Sequence, residues 1–291
     1  MFSEIMLKIK HLIEYYLLSL IITISLVFSW TSLPIVGTIL SYILFLALPT
    51  RRRVATKNII MALKTSDCEA RKIALSSFSS ISTTVLEIAH LGIKYRRSPS
   101  RFIRFSRYDV FRKALDAGNG AILLSAHQGN WELMAGSLAE WGYDVWAVVK
   151  PQANPYVERL FKRLRERYGV KVIYMEGSAR YIIKLLRENK FVAILADQHA
   201  GDAGIQVNLF GRKTSTWGQV GRIASITSSP IIIGFDIREK ANQHRALIHN
   251  LWYIKNVNNV DKLFAKEYNN HLEGFLRKCP GQYLWMHRRW K

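Results

Sequence analysis

Cysteine is scarce in this chain. Only Cys68 and Cys279 occur among 291 residues, and their separation fits neither a zinc-binding cluster nor a CxxC redox pair. That excludes a disulfide-stapled secreted scaffold, and two isolated thiols read as partly buried side chains without chemistry. Acidic residues are also short, 21 against 42 Lys and Arg, for a formal charge of +21 and a pI near 10.1. An excess of that size implies an anionic partner: nucleic acid, an anionic membrane surface, or an acidic protein or lipid. No internal repeat, low-complexity linker or GxSxG nucleophile elbow is present. With hydrophobic residues at 49%, the chain is no disordered basic tail.

Long apolar sequence is what the N-terminus has. Between Leu12 and Leu48 the only charge is Glu14. Tyr15–Leu33 supplies the ~20 apolar residues that a membrane span needs, with Tyr15, Tyr16 and Trp30 placed as interfacial aromatics. Pro34 and Gly37 interrupt the run, and Ile35–Leu48 reads as a shorter interfacial or re-entrant helix. The segment is too long for the apolar region of a signal peptide and lacks its small-residue cleavage pattern. Arg51, Arg52, Arg53 and Lys57 follow it. Such a cluster favours the cytoplasmic side and anionic headgroups. The basic charge therefore points to a membrane and an acidic partner, not to nucleic acid. The simplest division is an N-terminal membrane anchor over 1–50 and one catalytic domain over 51–291.

Residues 54–100 carry apolar side chains at three- and four-residue intervals and predict a helical layer. From residue 121 the texture changes. AILLSA (121–126), DVWAVV (144–149), VKVIY (170–174), FVAILA (191–196) and PIIIGFD (230–236) read as strands, separated by helical stretches at 131–141, 155–168, 178–188 and 217–228. That alternation predicts an α/β fold.

The first predicted strand runs into His127-Gln128-Gly129-Asn130-Trp131-Glu132. Asn130 is a good N-cap for the helix that follows. Residues five apart on one continuous helix point ~140° away from each other. With His127 on the strand-to-helix turn and Glu132 in the first helical turn, the two side chains can meet. A carboxylate on one imidazole nitrogen would fix the tautomer and leave the other nitrogen as a general base. The alternative is a helix-dipole role for Glu132 and a polar turn residue at His127.

Around this pair stands an ordered set of stretches: RRRVATKNI after the anchor, HQGNWE at 127–132, Asn154-Pro155 and the arginines to 167, Ala196-Asp197-Gln198, and QYLWMHRRW at 282–290. The set resembles the HX4(D/E) acyltransferases, and more narrowly the lipid A late acyltransferases of Gram-negative bacteria, from about residue 30 onward. The resemblance implies a glycerolipid acyltransferase-like fold: a central mixed sheet flanked by helices, behind an N-terminal transmembrane helix. It implies transfer of a fatty acyl group from acyl carrier protein to a hydroxyl of a phosphorylated glycolipid. On that reading His127 is the base and Glu132 orients it. The implied place is the inner membrane, catalytic part inside, with anionic lipids, the glycolipid acceptor and acyl carrier protein as partners and no cofactor. The family's functional arginine falls on Arg165 or Arg167, before Gly169, with Arg165 preferred. Asp197 matches the family's acidic position, and with Gln198 and Asn130 it joins those arginines as a candidate substrate-binding residue.

Other stretches leave two readings open. The tetrahedral intermediate needs donors, either backbone N–H groups at Gln128 and Gly129 or an arginine. A metal on Asp197, His199 and Asp202 is conceivable, but acyl transfer needs none and the expectation is no metal. Arg212 to Thr216 offer donors to a phosphate or a helix cap. The aromatic–basic cluster Tyr283, Trp285, His287, Arg288, Arg289 and Trp290 reads as an interfacial belt or headgroup contact. Rival functions are acylation of another amphiphile (a lysophospholipid, glycolipid or aminolipid) and a non-catalytic basic membrane-surface protein.

Overall fold

The computed structural model describes residues 2–254 and 257–290. Four helices come first: α1 (Phe2–Ser25), α2 (Leu33–Ala47), α3 (Pro49–Leu63) and α4 (Asp67–Ile93). The start of α4 is written in its sequence. Ser66 and Glu69 stand in capping-box spacing, and the Ser66 hydroxyl accepts from the Glu69 N–H at 3.2 Å.

The apolar N-terminus does not form the expected span from Tyr15 to Leu33. Helix α1 ends at Ser25, a single 3-10 turn covers Trp30–Ser32, and α2 starts afresh with Pro34 in its first turn. Trp30 is not an interfacial aromatic. It is buried, stacks on Phe102 with ring centroids 4.0 Å apart, and donates from its indole to the Asn242 carbonyl at 2.8 Å. A pattern of apolar residues records burial but not what covers them, which is why the break was hidden. The window long and apolar enough to cross a membrane is instead Trp30–Ala47. One face of α2 packs on α4 so closely that a Cβ at Gly37 would strike Thr83. The opposite face leaves Ile35, Ile39, Tyr42, Ile43 and Leu46 exposed.

The rest is an α/β fold. Five strands lie where the sequence places them: β2 (Ala121–Ser125), β3 (Val145–Val149), β4 (Lys171–Tyr174), β5 (Phe191–Leu195) and β8 (Ile231–Arg238). So do helices α6 (Trp131–Glu140), α7 (Pro155–Arg167), α8 (Ala179–Arg187) and α9 (Gln219–Thr227). The sequence reading did not include β1 (Ile103–Phe105), α5 (Asp109–Asp116), β6 (Ile205–Leu209), β7 (Arg212–Thr216), β9 (His244–Ile248) or α10 (Val260–Lys278). The main sheet has the order β1-β9-β8-β2-β5-β3-β4 and is parallel except for the β8–β9 pair, so it is mixed.

Strands β6 and β7 form a separate hairpin through Phe210-Gly211, both at positive φ as a tight two-residue turn requires. Arg212–Thr216 is therefore a strand and caps no helix; Gly218 stands at the N-cap of α9. Thr214 donates to the Arg289 carbonyl and Thr216 to the Asn269 side chain.

Candidate active site

Strands β2 and β5 are neighbours, parallel, and in register from Ala121 opposite Phe191 to Ser125 opposite Leu195. Two residues beyond each strand end stand His127 and Asp197. The register carries them to the same level, and His127 Nδ1 lies 2.9 Å from Asp197 Oδ1. Asp197 is 1% exposed. Its burial disfavours the charge, but the adjacent His127 and the hydrogen bond between them outweigh this and hold the carboxyl below its ordinary range. With Nδ1–H donated to Asp197, Nε2 is the basic nitrogen.

Glu132 does not orient His127. Its Oε1 accepts from Arg165 Nε at 2.8 Å and Nη2 at 2.6 Å, and its Oε2 accepts from the Tyr168 hydroxyl at 2.7 Å. The Trp131 indole also donates to it at 3.3 Å. Glu132 sits in the first turn of α6 and Arg165 in the last turn of α7. A planar guanidinium satisfies a buried carboxylate better than an imidazole can. Burial pushes the Glu132 carboxyl up, and Arg165 with these hydrogen bonds brings it net below its usual value. Of the two candidate arginines, Arg165 lines the site while Arg167 is exposed on the far side of the turn.

Asn130 caps α6, its Oδ1 accepting from Leu133 N at 2.9 Å. Its Nδ2 donates to Glu87 at 2.9 Å and the residue is fully buried, behind the turn and outside the lining of the cavity described below. The backbone N–H groups expected to serve an oxyanion are likewise engaged. Gln128 N donates to the Ala126 carbonyl at 2.7 Å and Gly129 N to the Gln282 carbonyl at 3.1 Å. The arginine alternative remains.

Behind the turn lies a buried ionic cluster. Asp236 accepts from Asn130 N at 2.6 Å and His244 Nδ1 at 2.7 Å, and Glu87 accepts from Arg238 at 2.7 and 3.0 Å and lies 3.3 Å from His244 Nε2. Gly129, at φ +58°, backs onto Asp236 so tightly that any Cβ would collide with it. Burial pulls the His244 pKa down, but Asp236 and Glu87 outweigh it and raise it to about 9. A raised histidine stabilises the fold fully below its unfolded value near 6.5 and loses that contribution as pH climbs through the folded value. A rise from 6.5 to about 9 corresponds to roughly 3 kcal/mol. The urea midpoint should therefore fall between pH 7 and pH ~10, and His244→Gln should flatten that decline while lowering stability at neutral pH.

The C-terminal segment joins the turns that carry His127 and Asp197. Leu284 N donates to the His127 carbonyl at 3.0 Å, the Tyr283 hydroxyl to the Asp197 carbonyl at 3.4 Å, and Arg289 to the Gln198 carbonyl at 3.1 Å. Tyr283, Trp285 and Arg289 are buried, so this cluster is a structural strap rather than an interfacial belt. The sequence reading missed Glu87, Asp236, Arg238 and His244. Their signal was present: Asp236 closes the apolar run PIIIGFD, and Glu87 interrupts the apolar face of α4.

His127, Arg165 and Gln198 line a cavity of about 1220 Å³. From His127 it runs under α6, where Leu123, Ala147, Ala193, Ile232, Leu138 and Phe111 make an apolar wall. Alanines on two central strands leave the room that larger side chains would fill. Among the described residues, no three His, Cys, Asp or Glu side chains gather as a metal site needs.

His127, hydrogen-bonded to Asp197, stands in the wall of a cavity with an extended apolar side, an arrangement that suits a transferase of hydrocarbon chains. The chain belongs to the bacterial lipid A biosynthesis acyltransferases, whose family model it matches over residues 5–291. It is 22% identical over 241 residues to lipid A biosynthesis acyltransferase 2 of Shigella flexneri, covering 81% of this chain and 76% of that protein. It is 20% identical over 239 residues to the lipid A biosynthesis myristoyltransferase of Escherichia coli K12, covering 81% and 74%. A shorter stretch of 113 residues is 34% identical to the phosphatidylinositol mannoside acyltransferase of Mycolicibacterium smegmatis and spans 36% of each chain. Family membership makes this protein an acyltransferase with a lipid acceptor.

Proposed function

We propose that this protein is a membrane-bound acyltransferase that moves a fatty acyl group from acyl carrier protein to a hydroxyl of a lipid A precursor. The observation that carries this reading is His127, paired with Asp197, in the lining of a cavity with an extended apolar wall. In the proposed reaction the acyl chain lies in the cavity with its thioester at His127. Nε2 takes the proton of the acceptor hydroxyl, and the oxygen forms its new bond to the thioester carbon. Asp197 stabilises the imidazolium. Arg165 faces the carbonyl oxygen as the charge develops, through a nitrogen not used by Glu132. The intermediate then collapses, the carbon–sulfur bond breaks, and the imidazolium proton passes to the departing thiolate. Glu132, Tyr168 and Trp131 serve to hold Arg165 in place.

The net charge of +21 supports an acidic donor carrier and anionic lipid. The exposed apolar faces of α1 and α2, ending at Arg51–Arg53, support insertion into the inner membrane with the active site on the cytoplasmic side. The likeness to a mannoside acyltransferase favours a second reading, in which the acceptor is another glycolipid.

Mass spectrometry of total lipids from cells lacking the protein, complemented with wild type or His127→Ala, separates the readings. Lipid A lighter by one acyl group and restored only by wild type is the expected result. Loss of an acyl group from a different lipid selects the second reading. No change in any lipid overturns both.

A further inference from the structure

A second cavity, of about 500 Å³, opens beside the first. It lies on the opposite face of the sheet. Ile182 of α8, Ile194 of β5, and Val220 and Ile223 of α9 form its wall, and all four belong to the core on that side. The deep wall of the larger cavity, including Phe111, Leu138 and Ile232, belongs to the core on the other side. The two cavities meet at Val148, Met175, Leu195 and Trp217, which line both. Leu195 stands opposite Ser125 and two residues before Asp197. The junction therefore lies beside the His127–Asp197 pair, and two apolar passages diverge from it to opposite faces of one sheet. Polar groups in the second cavity are few: Ser178, Arg180, Gln219 and the Trp217 indole.

We propose that the second cavity is a subsite for a hydrocarbon chain of the acceptor lipid, separate from the cavity that holds the donor's acyl chain. The inference rests on the acyl-transfer reading above. That reaction joins two amphiphiles at a single carbon next to His127, and both must keep their apolar parts out of water as they arrive. Two passages that diverge from one junction give each chain a separate path. The larger cavity contains His127 in its wall and suits the chain whose carbonyl carbon is attacked. The smaller does not contain His127 but opens at the same point, which suits a chain attached to the attacking hydroxyl.

The test uses the full-length protein in detergent and N-(3-hydroxyacyl)glucosamine phosphates of graded tail length. With an acyl carrier protein donor, each methylene that enters the subsite should lower the acceptor KM by up to about fourfold. Ile223→Trp, which fills the cavity, should abolish that dependence and leave the donor KM unchanged. Ile182→Phe serves as the second variant, and the melting temperature of both is compared with wild type. A photoreactive diazirine at the tail end gives a readout without turnover. Cross-links to the segments holding Ile182, Val220 and Ile223, lost in Ile223→Trp, are the expected result. Labelling confined to Phe111 and Leu138, or to α1 and α2, overturns the proposal. So does a tail-length dependence that survives Ile223→Trp in a folded variant. Labelling at α8 and α9 with no transfer by wild type leaves the subsite standing and sinks the acyl-transfer reading instead.

Discussion

Asp197→Asn should lower kcat by about 10²–10⁴-fold while both KM values stay within a few-fold of wild type. Asp197 contacts His127 Nδ1 at 2.9 Å and is buried beneath it. Its carboxylate does two things for a base: it fixes the proton on Nδ1, and it stabilises the positive charge that arises when Nε2 accepts a proton. An amide can imitate the shape but supplies no charge, and by turning its NH2 toward Nδ1 it would select the tautomer with the proton on the wrong nitrogen. His127→Ala should remove at least as much activity. Steady-state kinetics with a circular dichroism check of folding would decide the matter. If Asp197→Asn kept full activity, Asp197 would be only a structural anchor for the turn.

Arg165→Ala should cost roughly 3–5 kcal/mol of stability, the penalty for stranding one partner of a buried ion pair. Glu132 would keep only the Tyr168 hydroxyl and the Trp131 indole, at 2.7 and 3.3 Å, in place of two charge-assisted hydrogen bonds. The loss should show as a lower urea midpoint at unchanged m-value. Arg165→Lys separates folding from chemistry. Lysine keeps the charge but not the planar fork, so a smaller loss of stability should accompany a fall in kcat of about 10²-fold or more if Arg165 also faces the oxyanion. A double substitution, Glu132→Gln with Arg165→Met, should recover part of the stability, because it removes both charges together. Equal stability of Arg165→Ala and wild type would mean that the pair contributes nothing to holding α6 against α7.

These two predictions exchange the roles that residue spacing suggests. His127 and Glu132 are five apart, and a turn with a glycine allows them to meet; the strongest local signal thus points to Glu132, whereas the carboxylate hydrogen-bonded to His127 is Asp197. AILLSAH and FVAILAD carry the correct pairing: each is an apolar strand followed by Ala and then an ionisable side chain. To read it, one must know that β2 and β5 are adjacent, parallel and in register. Adjacency of strands separated by 70 residues is a property of the whole sheet.

By itself the sequence determined what depends on near neighbours in the chain. Short apolar runs placed five strands and the helical stretches between them. Asn130 marked where α6 begins, because a cap needs only a side chain and an N–H three residues on. The ordered motifs marked the family. The tertiary structure alone decided which carboxylate serves His127 and which arginine stands at the site. It also decided that the apolar N-terminus breaks at Ser25, and that Tyr283 and Trp285 are buried in the core. Each of these is a choice between partners distant in sequence, set by packing and by the need of every buried charge to find its complement.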